Sequence, residues 1–386
     1  MEFTNNRKVI VHFVGLSGIG GVQSNFIEYM KNIELYPSEY IHKVYTFGGI
    51  DKNYQLPVDV LDIRKILNLY RLILDVISRD VIVHFYNNLC SLNVALFLFF
   101  LPVHKLIVHE RGTIWNQPSS SWLIPSFIAW KASVVISNSF ATKTMLIKKI
   151  FISDKKIRVL HNGINTSLNY EYGDNRVKSN TIFRVGFLGR LDSPKGVHVL
   201  IDAMHHLINE KIELVIAGEG VLSSVLNKRA SKLNNIEFIG RIDNPYFFLN
   251  KIDLLVVPSI REPFGNVCLE AGLCKTPVLA ANIDGIPEII EHGVNGELID
   301  AADKISINFP QNAVPLPEFV IDPISYKPQA PRQINSLLLA NKILELSINQ
   351  DKLTQYADGL HDRVVDYFNI ERYTKELHAI YNEINL

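Results

Sequence analysis

Two short segments bring together residue types able to hold a diphosphate. The first, Gly189-Arg190-Leu191-Asp192-Ser193-Pro194-Lys195-Gly196, follows an apolar run ending at Leu188. Ser193 is expected to cap the following helix, and Pro194 suits a first helical turn. Arg190 and Lys195 then flank a helix N-terminus, where two cations and aligned amides favour an anion. The second segment, Arg261-Glu262-Pro263-Phe264-Gly265-Asn266-Val267-Cys268-Leu269-Glu270, follows the apolar run Leu254-Leu255-Val256-Val257-Pro258. Glu262 is expected in the loop and Glu270 in an early turn of the next helix. Asn266 and Glu270, four apart, share a face. Amides around Gly265 to Val267 could bind phosphate, and Glu270 could accept bonds from a ribose diol. Taken alone, the two glutamates would read as solvated side chains on a helix and its cap.

A third candidate lies near the N-terminus, Gly15-Leu16-Ser17-Gly18-Ile19-Gly20-Gly21, between a strand and a helix starting near Val22. Glycines permit a tight turn and a close backbone approach to a ligand. Gly18 and Gly20 fit a dinucleotide fingerprint, and Asp51 follows the second strand, but Gln23 stands where a third glycine or alanine belongs. A tight turn without a ligand competes with that reading.

Positioning these loops requires strands. Runs rich in Val, Ile and Phe alternate with stretches of helical period, the pattern of parallel sheets with crossover helices. One series of strands is expected at 8–14, 42–47, 80–86, 105–109, 133–137 and 157–160, a second at 183–188, 212–217, 236–239, 253–258, 277–280 and 296–299. The fold class is therefore α/β, two doubly wound domains, with ligands expected at strand carboxyl ends. The boundaries read as 1–165, a polar linker at 166–181, 182–365, and a C-terminal helix at 366–386 that could cross back onto the first domain. Residues 301–332, with six prolines, read as a functional loop or insertion. Helices are expected near 333–347, 350–363 and 370–385.

At 386 residues the chain is too long for one small module. Lysine plus arginine number 39 and aspartate plus glutamate 39, so nothing suggests a polyanion or nucleic-acid binder. The charge is unevenly spread, with 18 basic and 11 acidic side chains in residues 1–165, leaving the remainder acidic. That excess could draw the first half toward an anionic membrane, or could be ordinary surface charge. The apolar stretch from Ser91 to Val103 could rest on a membrane or be a helix packed between other elements; it is too short to span one. Cys90, Cys268 and Cys274 lack zinc or disulfide spacing and read as buried thiols in a reducing cytoplasm. No signal-peptide pattern opens the chain.

The spacing from Glu262 to Glu270, the Gly-Arg and Lys-Gly elements carrying Arg190 and Lys195, and the Gly20-Gly21 loop together resemble the retaining glycosyltransferases of family 4, of GT-B fold. The stretches at 159–164, 214–220 and 285–288 are similar too. The resemblance spans most of the chain and is strongest at 183–300. It implies that Arg190 and Lys195 hold the donor diphosphate, Glu270 the ribose, and Glu262 the transferring sugar. It further implies that the Phe264, Gly265, Asn266 and Val267 backbone cradles phosphate and that Gly20 and Gly21 admit donor and acceptor. His109 would lie near the sugar.

The expected activity is a metal-independent transfer (hexosyltransferase type) from a nucleotide-diphosphate sugar, with retention, to a glycan or polyprenyl-linked acceptor. No Asp-x-Asp motif occurs, and no cofactor is expected. The setting implied is bacterial surface polysaccharide biosynthesis, at the inner face of the cell membrane. Alternatives are a non-hydrolysing sugar-nucleotide epimerase, a dinucleotide-dependent oxidoreductase and an inert scaffold.

Overall fold

The computed structural model describes residues 8–18, 20–35, 39–52, 54–86, 89–117, 122–168 and 182–385. Most of the expected linker, 169–181, lies outside them. Contacts divide the chain into two units, Met1–Ile164 with Asn369–Leu386, and Asn165–Phe368.

The first unit is built on seven parallel strands: β1 (Lys8–Phe13), β2 (Tyr40–Thr46), β3 (Val60–Asp62), β4 (Val81–Phe85), β5 (Lys105–Glu110), β6 (Val134–Ser137) and β7 (Ile157–Val159). They lie in the order β3-β2-β1-β4-β5-β6-β7. Runs such as Val81-Ile82-Val83-His84-Phe85 are buried throughout, as strands covered on both faces must be. Its helices are α1 (Gly21–Leu35), α2 (Ile66–Val76), α3 (Leu92–Phe100), α4 (Leu123–Lys131) and α5 (Phe140–Ile150). β3 was not among the expected strands; three half-buried residues give too short a pattern to recognise.

The second unit has six parallel strands: β8 (Phe183–Leu188), β9 (Ile212–Ala217), β10 (Ile236–Gly240), β11 (Leu254–Val257), β12 (Val278–Asn282) and β13 (Glu297–Asp300). Their order is β10-β9-β8-β11-β12-β13, which is the doubly wound arrangement with its switch point between β8 and β11. The helices are α6 (Val197–His206), α7 (Ser223–Ala230), α8 (Pro245–Leu249), α9 (Asn266–Leu273), α10 (Ser336–Ser347) and α11 (Gln350–Tyr367). The proline-rich stretch contains a small antiparallel pair, β14 (Val320–Ile321) and β15 (Pro328–Gln329).

The last helix, α12 (Ile370–Asn385), belongs to the first unit. It buries Tyr373, Leu377 and Tyr381 in the core that also holds Phe26, Tyr29 and Met30 of α1. Ile370 N–H donates to Ile164 O at 2.9 Å, and Arg372 donates to His161 O and Asn162 O. No helix among the described residues is long and apolar enough to cross a membrane.

Candidate functional site

Two loops leave adjacent carboxyl ends at the switch point of the second unit, one after Leu188 and one after Val257. Backbone contacts fix them to each other. Gly196 has φ +65°, and a Cβ there would lie 1.9 Å from Pro258 O, so no other residue fits without moving a main chain. Pro194 O accepts from the N–H groups of Ile260 (2.8 Å) and Arg261 (3.2 Å). Across this seam Lys195 Nζ meets Glu262 Oε2 at 2.6 Å. Ser259 Oγ donates to the same oxygen at 3.4 Å.

The turn carrying Lys195 differs locally from expectation. Asp192, not Ser193, is the cap: its carboxylate accepts from Ser193 N–H at 2.9 Å and opens a short 3-10 turn, Ser193–Lys195. The α-helix begins only at Val197, because left-handed Gly196 interrupts it. An aspartate before Ser-Pro competes well for the cap, and the buried Ser193 hydroxyl makes no bond among the described residues.

Glu262 is held from behind by Asp284. Glu262 N–H donates to Asp284 Oδ2 at 2.9 Å, and Ile321 N–H to Oδ1 at 2.7 Å. Asp284 is buried and left-handed, at φ 47°. Burial pushes its carboxyl up to about 7, against the pull of those two N–H groups. Asp192 is tied similarly, with Val314 N–H donating to Oδ1 at 3.1 Å. The proline-rich stretch therefore bonds to a carboxylate behind each loop. Neither aspartate was singled out in the sequence; the Asp-Gly pair at 284–285 carried only a generic turn signal.

Helix α9 opens at Gly265, φ +103°, and no side chain caps it. Its first residues, Asn266 and Val267, are half-buried, whereas Phe264 is buried edge-on against Phe368. One turn on, burial raises the Glu270 carboxyl to about 7, while Lys195 pulls it down. Burial, then Glu262, raises the Cys268 thiol, with Lys195 opposing; a thiol so held is a poor nucleophile. Lys195 thus acts electrostatically on both glutamates. Arg190 is exposed and has no ion pair among the described residues. No group of three or more His, Cys, Asp or Glu among those residues is arranged to hold a metal.

The remaining candidates belong to the first unit. Gly20 precedes α1 and Gly21 begins it; Gln23 Nε2 donates to Gly15 O at 2.9 Å, closing the loop on itself. His109 is buried at the end of β5, stacked on His84 at 5.4 Å, with Nδ1 3.3 Å from His84 Nε2. Burial, then Arg111 and His84, hold its pKa well below the usual histidine value, so the ring is neutral. Its Nε2 is buried without a partner among the described residues. Glu110 beside it is structural, accepting from Thr113 Oγ1 (2.9 Å) and Ile114 N–H (3.0 Å). Arg111 reaches Tyr373 OH at 3.0 Å.

The sequence also did not lead us to expect that His109 ends a row of histidines, buried except for the half-buried His42. His42, His12, His84 and His109 lie on β2, β1, β4 and β5, with His12 opposite His84. His12 Nε2 is 2.9 Å from His42 Nδ1, and His84 Nδ1 2.7 Å from Tyr381 OH.

Residues 174–308, about a third of the chain, match the family model described as glycosyl transferases group 1. An uncharacterized glycosyltransferase of Methanocaldococcus jannaschii is 29% identical over 210 residues, 50% of this chain and 54% of its own length. A capsular polysaccharide biosynthesis glycosyltransferase, CapM of Staphylococcus aureus, is 24% identical over 197 residues, 47% of this chain and 52% of its own. The chain spans about half the length of these curated relatives. The structure of Anabaena HepE with UDP and glucose superposes with a TM-score of 0.73, covering 97% of this chain and 100% of that one at 20% identity. By fold this chain is GT-B, and over residues 174–308 it carries the sequence pattern of the glycosyl transferases group 1.

Proposed function

We propose that the protein is a retaining, metal-independent glycosyltransferase that moves a hexose from a nucleotide-diphosphate sugar to a glycan or polyprenyl-linked acceptor. The carrying observation is the Lys195–Glu262 pair, held at the switch point by backbone contacts, with Lys195 also acting on Glu270. The second unit takes the donor and the first takes the acceptor.

When the sugar leaves, negative charge grows on the β-phosphate and must meet fixed positive charge or dipoles. Lys195 has three N–H donors and spends one on Glu262, so two remain for the diphosphate. Arg190 and the amides of Gly265, Asn266 and Val267 supply the rest, in the role a metal ion has elsewhere. Glu262 orients the transferring sugar, and Glu270 accepts from the ribose diol. Gly20 and Gly21 allow the substrates close to the backbone. The unpartnered His109 Nε2, on a neutral ring, can donate to or accept from a sugar hydroxyl. Departure and attack occur on the same face, which accounts for retention without a covalent nucleophile.

UDP-sugars are the first donors to test, because the Anabaena protein was crystallised with UDP-glucose and UDP. The likeness to CapM supports a place in bacterial surface polysaccharide assembly. A panel of nucleotide sugars, scored by the shift in melting temperature, identifies the donor. Turnover of that donor with acceptor, in the presence of EDTA, then tests the reading. Transfer abolished by EDTA refutes metal independence, and conversion of the donor without any acceptor identifies an epimerase instead.

A further inference from the structure

Helix α2 and helix α3 cover the sheet face opposite α1. Asp75 of α2 accepts from Lys43 Nζ and Tyr45 OH, both at 2.6 Å. Phe97 of α3 packs on Phe13 and Phe47 at 5.4 and 5.3 Å. Only a few residues of each helix are buried by this packing, Leu72 and Val76 in α2, Ala95 and Leu98 in α3.

The outward sides are apolar, which is the reverse of an ordinary surface helix. On α2, Ile66, Tyr70, Ile73 and Leu74, with Ile77 just past its end, recur at helical spacing and are exposed, Ile66 at 85%. On α3, Leu92, Leu96, Phe99 and Phe100 do the same, Phe100 at 77%. Aromatic contacts carry this surface onto α4: Phe99 lies 5.9 Å from Phe127, which lies 6.0 Å from Trp130, itself 74% exposed. Such a stretch of exposed apolar side chains marks an interaction surface.

The charge around it says what covers it. Residues 92–158 carry nine lysines and arginines against two acidic residues, Glu110 and Asp154. Glu110 and Lys149 are buried, Asp154 is paired with Lys143 at 2.7 Å, Arg158 is paired with Glu383, and Arg111 is turned to Tyr373, so the positive charge left on this side rests chiefly on Lys131, Lys148, Lys155 and Lys156. Basic residues are built into the aromatic ridge, since Lys156 Nζ donates to Trp130 O at 2.7 Å and Lys131 Nζ to Phe99 O at 3.2 Å. Lys148 and Lys155 are exposed, Lys155 being next in sequence to Lys156. A second copy of the chain would bring like charge against like. A bilayer with anionic headgroups offers opposite charge at the rim and an apolar, aromatic-tolerant interior beneath it.

We propose that the α2–α3–α4 face of the first unit docks on a membrane surface containing anionic lipid, with Phe100 and Trp130 entering the headgroup boundary. This inference uses no feature of the donor site, so it can fail while the transferase reading stands, and the reverse.

The test is co-sedimentation of the full chain with phosphatidylcholine vesicles, with and without about 30% phosphatidylglycerol. Binding is expected to the anionic vesicles only, and to be released by about 0.5 M salt. F100S/W130S should weaken the partition roughly tenfold or more. K148Q/K155Q should weaken it about fivefold per lysine. Both pairs are surface changes, and an unchanged melting temperature verifies the fold. Absence of binding, equal binding to neutral vesicles, or indifference to F100S/W130S overturns the proposal. So does a dimer in sedimentation velocity that F100S/W130S dissolves while vesicles are ignored, because a second copy then covers the face.

Discussion

Lys195→Met removes the cation from a pair whose carboxylate side chain is only 9% exposed. Among the described residues, the remaining side-chain partner of the Glu262 carboxylate is Ser259, at a long 3.4 Å. Orphaning a fully buried charge costs about 3–5 kcal/mol; Lys195 is 27% exposed, so the cost here falls nearer 2–3 kcal/mol. Glu262→Gln removes the need for the cation, so adding it to Lys195→Met should restore about 1–2 kcal/mol, a coupling that a double-mutant cycle isolates. The effect on rate is separate. Loss of one fixed donor to a developing oxyanion costs about 2.7–4 kcal/mol, or roughly 100–1000-fold in kcat. Urea unfolding of the four proteins measures the first quantity, and initial rates at saturating donor measure the second. The reasoning is refuted if the stability costs add to within about 0.5 kcal/mol and kcat of Lys195→Met falls by less than about tenfold.

Three further outcomes are expected. Asp284→Ala leaves the N–H groups of Glu262 and Ile321 without acceptors and places alanine at a left-handed position, so it should cost about 2–4 kcal/mol in urea unfolding; Asp284→Asn, which retains one acceptor and tolerates that backbone, should cost less, and equal costs would contradict the clamp. Glu270, raised to about 7, gains a proton as pH falls below that value; donor affinity measured by calorimetry should then weaken between pH 8 and 6, and Glu270→Gln should flatten the profile. In the first unit burial lowers the pKa of His12, His84 and His109, and that of His42 to about 3. The unfolded chain therefore binds protons below about pH 6.5 that the folded unit refuses, and stability falls as pH falls, by about 1.4 kcal/mol per pH unit for each histidine. Acid unfolding that begins well above pH 4, and is shifted downward by His42→Gln, checks this; a melting temperature level from pH 7 to 5 would exclude it.

The strands were legible because buried parallel strands are continuous apolar runs, and the second series begins and ends within two residues of where the pattern led. The charged loop residues were legible for the same reason, since each follows a recognisable strand end. What escaped was long-range. That Asp284 meets Ile321 depends on a proline-rich stretch whose conformation has no period to read. That His42, His12, His84 and His109 form one row depends on strand order, which places β1 between β2 and β4. Helix α3 shows a further limit: its composition was apolar on every side, so only the structure distinguishes the residues that pack from those that face solvent.

The seam at Gly196 and Pro258 has a practical meaning for redesign. Main-chain contacts at residues 194, 196 and 258 join the two loops that carry the ammonium of residue 195 and the carboxylate of residue 262, so side chains other than the Asp192 and Asp284 clamps can be exchanged without parting them. Libraries of variants around this charge centre should therefore leave residues 194, 196 and 258 as they are.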